Sequence, residues 1–337
     1  MKRLDWIDIA KGIGILLVVL GHSRLNTGFA ARWISSFHMP LFFILAGLCY
    51  DEMRYPSYLS YIKRKVTALA YPYFTLSFVV IAMFSVLYFG DNPAFGAKTL
   101  FLDGTLKGST FGAFWFVTSL FCVEVLYAGF SRVVSSPIAR IIVMLLVSLA
   151  AAYFIESRWP YFIDTTLVAM FFYAFGHILR LLLPMIANFR MNVFYRFGLA
   201  GGGHVLLLLF AYHYKADFVS HNLGNPVMFL FCAILGSAFV MLISLYISIM
   251  KPTFLDCCKT SLIFVGKNTI ILLAMHNALG VCRQSWVGKI PYMNGMTSVL
   301  VELLLLGTLL WLLSGPCRFI IDFKVMKQLI MRIKKGK

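Results

Sequence analysis

With 337 residues, 61% of them hydrophobic and only 13% charged, the chain is far more apolar than a soluble domain, which excludes a cytosolic enzyme and leaves a polytopic membrane protein. The formal net charge of +17 does not mark a nucleic-acid binder, because the basic residues are scattered between apolar runs and form no continuous stripe. Seven cysteines without a CxxC lie mostly in apolar segments, where a thiol behaves as a small buried hydrophobe, so neither a disulfide framework nor a metal site is expected.

In chain order, ten apolar windows predict an all-α fold of about ten transmembrane helices, near 7–25, 33–50, 68–90, 111–131, 138–155, 163–183, 197–213, 226–249, 262–281 and 295–315. Lys2 and Arg3 ahead of the first window resemble a signal peptide, but no A-x-A-like site follows and Lys11 and His22 interrupt it, so a retained helix is expected. Placing the N-terminus, the even-numbered connections and the tail on one side collects 22 of the 30 basic residues there. The positive-inside rule then puts both termini in the cytoplasm and the protein in the inner (plasma) membrane. Residues 1–316 form the transmembrane domain on this reading. Residues 317–337 alternate apolar with basic side chains, as suits an amphipathic helix on an anionic leaflet. No internal repeat of the inverted-topology kind is visible.

An ionisable residue inside a span costs several kcal/mol unless it is paired or faces water, so each is a functional candidate. The first window has Asp8, Lys11 and His22. Eleven residues separate Lys11 from His22, about three helical turns, so both point the same way roughly 16 Å apart. Asp8 shares that face. The structural alternative is a Lys11 that snorkels to the interface and a His22 that makes an interhelical hydrogen bond. A connection of about ten residues makes the first two windows a hairpin and brings His38 near His22. Trp115 and His276 are expected at the same depth. An imidazole in a low-dielectric cavity is a natural general base for a hydroxyl, and aromatic walls suit sugar rings. Each of these residues also has a plain structural reading as a hydrogen-bond donor or interface anchor. Lys63-Arg64-Lys65 ahead of Tyr71-Pro72-Tyr73 is a compact cationic cluster suited to phosphates, or simply a positive-inside cluster. Glu124, Glu302, His177, His204 and His213 receive no catalytic role, and Gly201-Gly202-Gly203 is read as a close helix approach or a local unwinding. No Walker A, G-x-G-x-x-G or G-x-S-x-G motif is present.

Taken together these segments resemble the acyltransferase-3 family of integral-membrane acyltransferases, particularly its fucose 4-O-acetylase-like branch of sugar acetyltransferases. The family's first-helix signature is a basic residue, ten residues, then His, matched by Lys11 and His22. Phe37-His38-Met39-Pro40-Leu41-Phe42-Phe43 with Ala46-Gly47 resembles the second-helix motif, Ala46 standing where Ser is common. Lys63-Arg64 with Tyr71-Pro72-Tyr73, Trp115-Phe116, and Gly266-Lys267-Asn268-Thr269 with His276 resemble later motifs in the same order. The resemblance implies ten membrane helices, an acyl-CoA donor, usually acetyl-CoA, taken from the cytoplasmic side, no metal, and a carbohydrate or lipid-linked glycan acceptor. It implies that Lys11, Arg64 and Lys63 hold CoA phosphates and that His22 acts as general base beside His38. Trp115, His276 and Asp8 would then contact substrate. The rival reading is a secondary transporter or flippase using the same residues as a proton or anion path.

Overall fold

The computed structural model describes residues 4–22, 28–55, 57–88, 112–155, 159–188, 193–250, 256–287, 289–291 and 295–335. Of the basic residues counted for orientation, Lys2, Arg3, Arg24, Lys98, Lys107, Arg158, Arg190, Lys251 and Lys337 lie outside the described residues. Within the described residues the chain is helical, with one isolated β-bridge between Asp217 and Asn222. In order the α-helices are α1 (Asp5–His22), α2 (Phe29–Ser35), α3 (His38–Leu48), α4 (Tyr58–Lys65), α5 (Tyr71–Leu87), α6 (Trp115–Val133) and α7 (Pro137–Phe154). They continue with α8 (Ile163–Asn188), α9 (Val193–His213), α10 (Pro226–Ile249), α11 (Asp256–Lys267), α12 (Thr269–Trp286), α13 (Gly295–Ser314) and α14 (Phe323–Lys335).

Seven helical segments among the described residues are long and apolar enough to cross a membrane, or eight if the broken pair α11 and α12 counts as one span. The chain is therefore a polytopic membrane protein. The two expected spans outside that set are α1 and α9. The reason is plain in α1, which carries Asp5, Asp8 and Lys11 within 18 residues. Local chemistry sets several starts: Ser136 caps α7 by accepting from the Ala139 amide, with Pro137 in the first turn. Asn225 does the same for α10 through the Met228 amide, ahead of Pro226.

The chain divides into two compact units, the first comprising Met1–Tyr58 and Cys122–Thr269, the second Leu59–Phe121 and Ile270–Lys337. In the first unit α1 packs on α10 and α11, α3 on α8, α7 on α8, and α9 on α10. Two glycine pairs set the closest of these approaches. A Cβ on Gly12 would overlap the Leu262 carbonyl and one on Gly266 the Asp8 carbonyl, which locks α1 against α11. Gly47 faces the Tyr173 carbonyl and Gly176 the Ile44 carbonyl in the same reciprocal way, which locks α3 against α8. The Gly201-Gly202-Gly203 run behaves differently from expectation. Helix α9 continues through it, and only Gly203 meets a neighbour, the Leu235 side chain.

One end of this unit is polar inside. Arg140 is buried, donates to the carbonyls of Val134 and Ser131 at 2.5 and 2.6 Å, and pairs with Glu52. Arg180 pairs with Asp51 at 2.7 Å. Tyr50 bonds Ser131 and Tyr127 bonds His177, at 2.8 and 2.9 Å. These contacts fasten the segment after α3 to α6, α7 and α8. They also satisfy charges that burial would otherwise penalise by several kcal/mol.

In the second unit a five-residue π-helical turn, Val66–Ala70, joins α4 to α5. Phe84, Cys282 and Trp286 form a buried cluster, Trp286 donating to the Leu87 carbonyl at 2.7 Å. Arg283 pairs with Glu302 at 2.5 Å. The tail is helical as expected, and its start is fixed by Tyr71, which donates to the Phe319 carbonyl at 2.7 Å and stands edge-on to Phe323.

Candidate functional site

Helix α1 carries candidate chemistry at both ends, and in both places the neighbours come from the first unit. Near its N-terminal end a cleft of about 670 Å³ is lined by Asp8, Lys11, Asp51, Arg54 and Arg180, with Ile7, Leu48 and Leu183 among its apolar walls. Asp8 is buried and Lys11 half-buried. Arg180 is committed to Asp51, whereas neither Lys11 nor Arg54 forms an ion pair with a described residue. The cleft therefore holds two cations with no ion-pair partner among the described residues, beside Asp8 and the Asp51–Arg180 pair, an arrangement that suits an anionic group with several oxygens.

At the other end His22 closes α1 and is exposed, while His38 opens α3 and is half-buried. Helices α1 and α3 pack on each other, so the two imidazoles stand at the same end of this helix pair. His38 Nδ1 lies 2.7 Å from the Ile34 carbonyl. A carbonyl only accepts, so Nδ1 carries the proton and Nε2 is left as the basic nitrogen. The neighbouring Trp33 donates to His204 Nε2 at 3.0 Å, which gives His204 a structural role.

The hairpin expectation is thus met for His22 and His38, and Asp8 and Lys11 share one cleft. Sequence reasoning missed Arg54 and Arg180, counted only toward orientation. The remaining predicted residues belong to the second unit. Lys63 and Arg64 are exposed in the last turn of α4, and the neighbouring Lys65 lies over the Tyr61 ring at 5.2 Å. Trp115 is buried at the start of α6. His276 is buried in α12, its Nδ1 donating to the Leu272 carbonyl at 2.8 Å. Among the described residues no cluster of three or more His, Cys, Asp or Glu is placed to hold a metal ion.

No curated protein and no solved structure matches the chain. Residues 4–319 match the family model described as the acyltransferase domain, acyltransferase-3. That match takes in every residue of the cleft and of the imidazole pair together with nearly all the rest of the chain, so the protein belongs to the acyltransferase-3 family, a membership that implies acyltransferase activity.

Proposed function

We propose that the protein moves an acyl group, in the usual case acetyl, from acyl-CoA to a hydroxyl of a cell-envelope or exported carbohydrate. The observation that carries this reading is the pairing, along one helix, of a cationic cleft at Lys11 with two imidazoles at His22 and His38. The rise between Lys11 and His22 is roughly 16 Å. An extended pantetheine arm bridges such a distance, so phosphates held at Lys11 and Arg54 place the thioester beside His22. His22 then takes the hydroxyl proton as the oxygen bonds to the acyl carbon. The C–S bond breaks, and the CoA thiolate leaves and recovers that proton. His38, with Nε2 basic, sits where it can order the acceptor or share the proton.

Lys63 and Arg64 are assigned to the donor's phosphates, and Trp115 and His276 to the acceptor, on their motif resemblance. In this reading the ten apolar windows are ten spans, and the charge count puts both termini in the cytoplasm and the protein in the inner (plasma) membrane. Helix α14 rests on the anionic leaflet in this arrangement.

The test is transfer of label from radioactive acetyl-CoA to the glycan fraction of membranes containing the protein, followed by mass analysis of the glycan. Labelled glycan that depends on the protein and on His22 is the expected result. A protein that neither binds acetyl-CoA nor labels any glycan would overturn the reading in favour of transport.

A further inference from the structure

We infer that Arg140 and Glu52 are positioning residues for the donor cleft: their ion pair fixes the short turn that carries Arg54 and, through Asp51, orients Arg180. The inference rests on the proposed function, since it takes the cleft to hold the phosphates of acyl-CoA.

The segment after α3 has little of its own to hold it in place. Glu52–Arg54 is a single 3-10 turn between two extended residues, Asp51 (φ −144°) and Tyr55 (φ −125°). Its closing backbone bonds, from the Arg54 amide to the Asp51 carbonyl and from the Tyr55 amide to the Glu52 carbonyl, are 3.4 and 3.5 Å long, the weak end of the range. Met53, at the centre of the turn, is 95% exposed, so apolar burial contributes nothing there. The acidic side chains of the turn supply what the backbone and the apolar contacts do not.

The fork that Glu52 meets is fixed in advance. Arg140 is buried, and its Nε and Nη2 donate to the carbonyls of Val134 and Ser131 at 2.5 and 2.6 Å, at the corner between α6 and α7. A planar guanidinium held at two points has one direction left for a carboxylate. Glu52 takes it with both oxygens, Oε1 from Nη1 and Oε2 from Nη2, the second at 3.4 Å. Arg180, in α8, holds the adjacent Asp51 at 2.7 Å. Two neighbouring carboxylates thus anchor one turn to two helices.

Neither Arg140 nor Glu52 lines the cleft, whereas Asp51, Arg54 and Arg180 do. Arg54 follows Glu52 by two residues, so its place at the cleft depends on how firmly Glu52 is docked. Releasing Glu52 also frees Asp51, and Arg180 then loses a fixed partner. An apolar contact would close this corner without desolvating a charge. The ion pair adds direction, which is what a cation needs if it is to meet a phosphate at a set distance from the thioester.

The experiment uses the full chain in membranes, with radioactive acetyl-CoA and the native membrane glycan fraction as acceptor. Glu52→Ala is expected to raise KM for acetyl-CoA about two- to fivefold, the worth of a displaced charge contact, and to leave kcat at saturation unchanged. Glu52→Gln, which keeps an acceptor for the Arg140 fork, brings KM back toward the wild-type value. With S-acetylpantetheine as donor, which has no phosphate for Arg54 to meet, KM is the same in Glu52→Ala as in wild type. On an Arg54→Ala background, Glu52→Ala raises KM for acetyl-CoA by less than it does alone. An unchanged KM for acetyl-CoA, an equal rise for both donors, a fall in kcat alone, or a full further rise on the Arg54→Ala background would overturn the inference while leaving the proposed function standing. A wild-type protein that transfers no label removes the proposed function and this inference with it. If Glu52→Ala does not elute as a single species in detergent, Glu52→Asp, charged but too short to reach the fork, carries the test: a raised KM at constant kcat supports the inference, and an unchanged KM overturns it.

Discussion

At the Lys11 end of α1, charged side chains from three stretches of chain rim an open cleft, two of them already paired with each other. At the His22 end, two imidazoles stand at one end of the packed helices α1 and α3. The first arrangement spreads its work over several partial contacts with an anion. The second concentrates it on one or two atoms that must be correctly placed. Loss of a single group should therefore be mild at the first end and severe at the second. His22→Ala makes the sharpest test of that contrast: label transfer should fall about a hundred- to ten-thousandfold, the range for a lost general base, with acetyl-CoA binding retained. A His22→Ala protein with near-normal transfer would move the base to His38 Nε2.

The two ends share one rigid support. Gly266 meets the Asp8 carbonyl and Gly12 the Leu262 carbonyl, so α1 and α11 touch backbone to backbone at the level of the cleft. Gly266→Ala forces these helices apart at an expected cost of about 1–3 kcal/mol. Because the same helix carries both ends, kcat should fall and KM should rise together, with less folded protein by size-exclusion chromatography. An effect confined to one parameter would show that the ends are positioned independently.

How far the residues announced this in advance differs from feature to feature. The Lys11 to His22 relation was legible because helical periodicity converts eleven residues into one face. His38 was legible because a short connection returns the chain. Arg140 and Arg180 entered only as basic residues counted toward orientation; their carboxylate partners are 88 and 129 residues away in the chain, and a single sequence holds no record of that pairing. The glycines show the same limit. The run at 201–203 drew attention as a run, yet close approach depends on what lies opposite, and the isolated Gly12, Gly47, Gly176 and Gly266 are where backbones meet. Each of the ten windows contains helix among the described residues, but the second is interrupted at Ser36 and Phe37, the ninth is bent by 81° at Asn268, and polarity keeps α1 from passing as an ordinary span.

A smaller effect is expected at the cleft. Lys11→Ala and Arg54→Ala each remove one cation that has no ion-pair partner among the described residues. A solvent-facing charge contact is worth up to ~1 kcal/mol, so each should raise KM for acetyl-CoA by up to about fivefold and leave kcat at saturation unchanged. A drop in kcat with constant KM would place Lys11 at the chemistry and erase the difference between the ends.

Ionic strength should give the mildest separation of the two. The cleft is open, and its contacts with an anion pass through solvent, where the screening length falls from about 10 Å at 0.1 M salt to about 3 Å at 1 M. Attraction between Lys11, Arg54 and a donor phosphate should weaken over that range, raising KM for acetyl-CoA a few-fold. Proton transfer at His22 takes place between groups already in contact, so screening has little distance over which to act there. The rate at saturating donor should therefore hold nearly constant while KM climbs, measured as label transfer at fixed glycan across a salt series. A kcat that falls in step with rising salt would mean that the imidazole end also depends on long-range charge, and that the two ends of α1 differ less than their geometry implies.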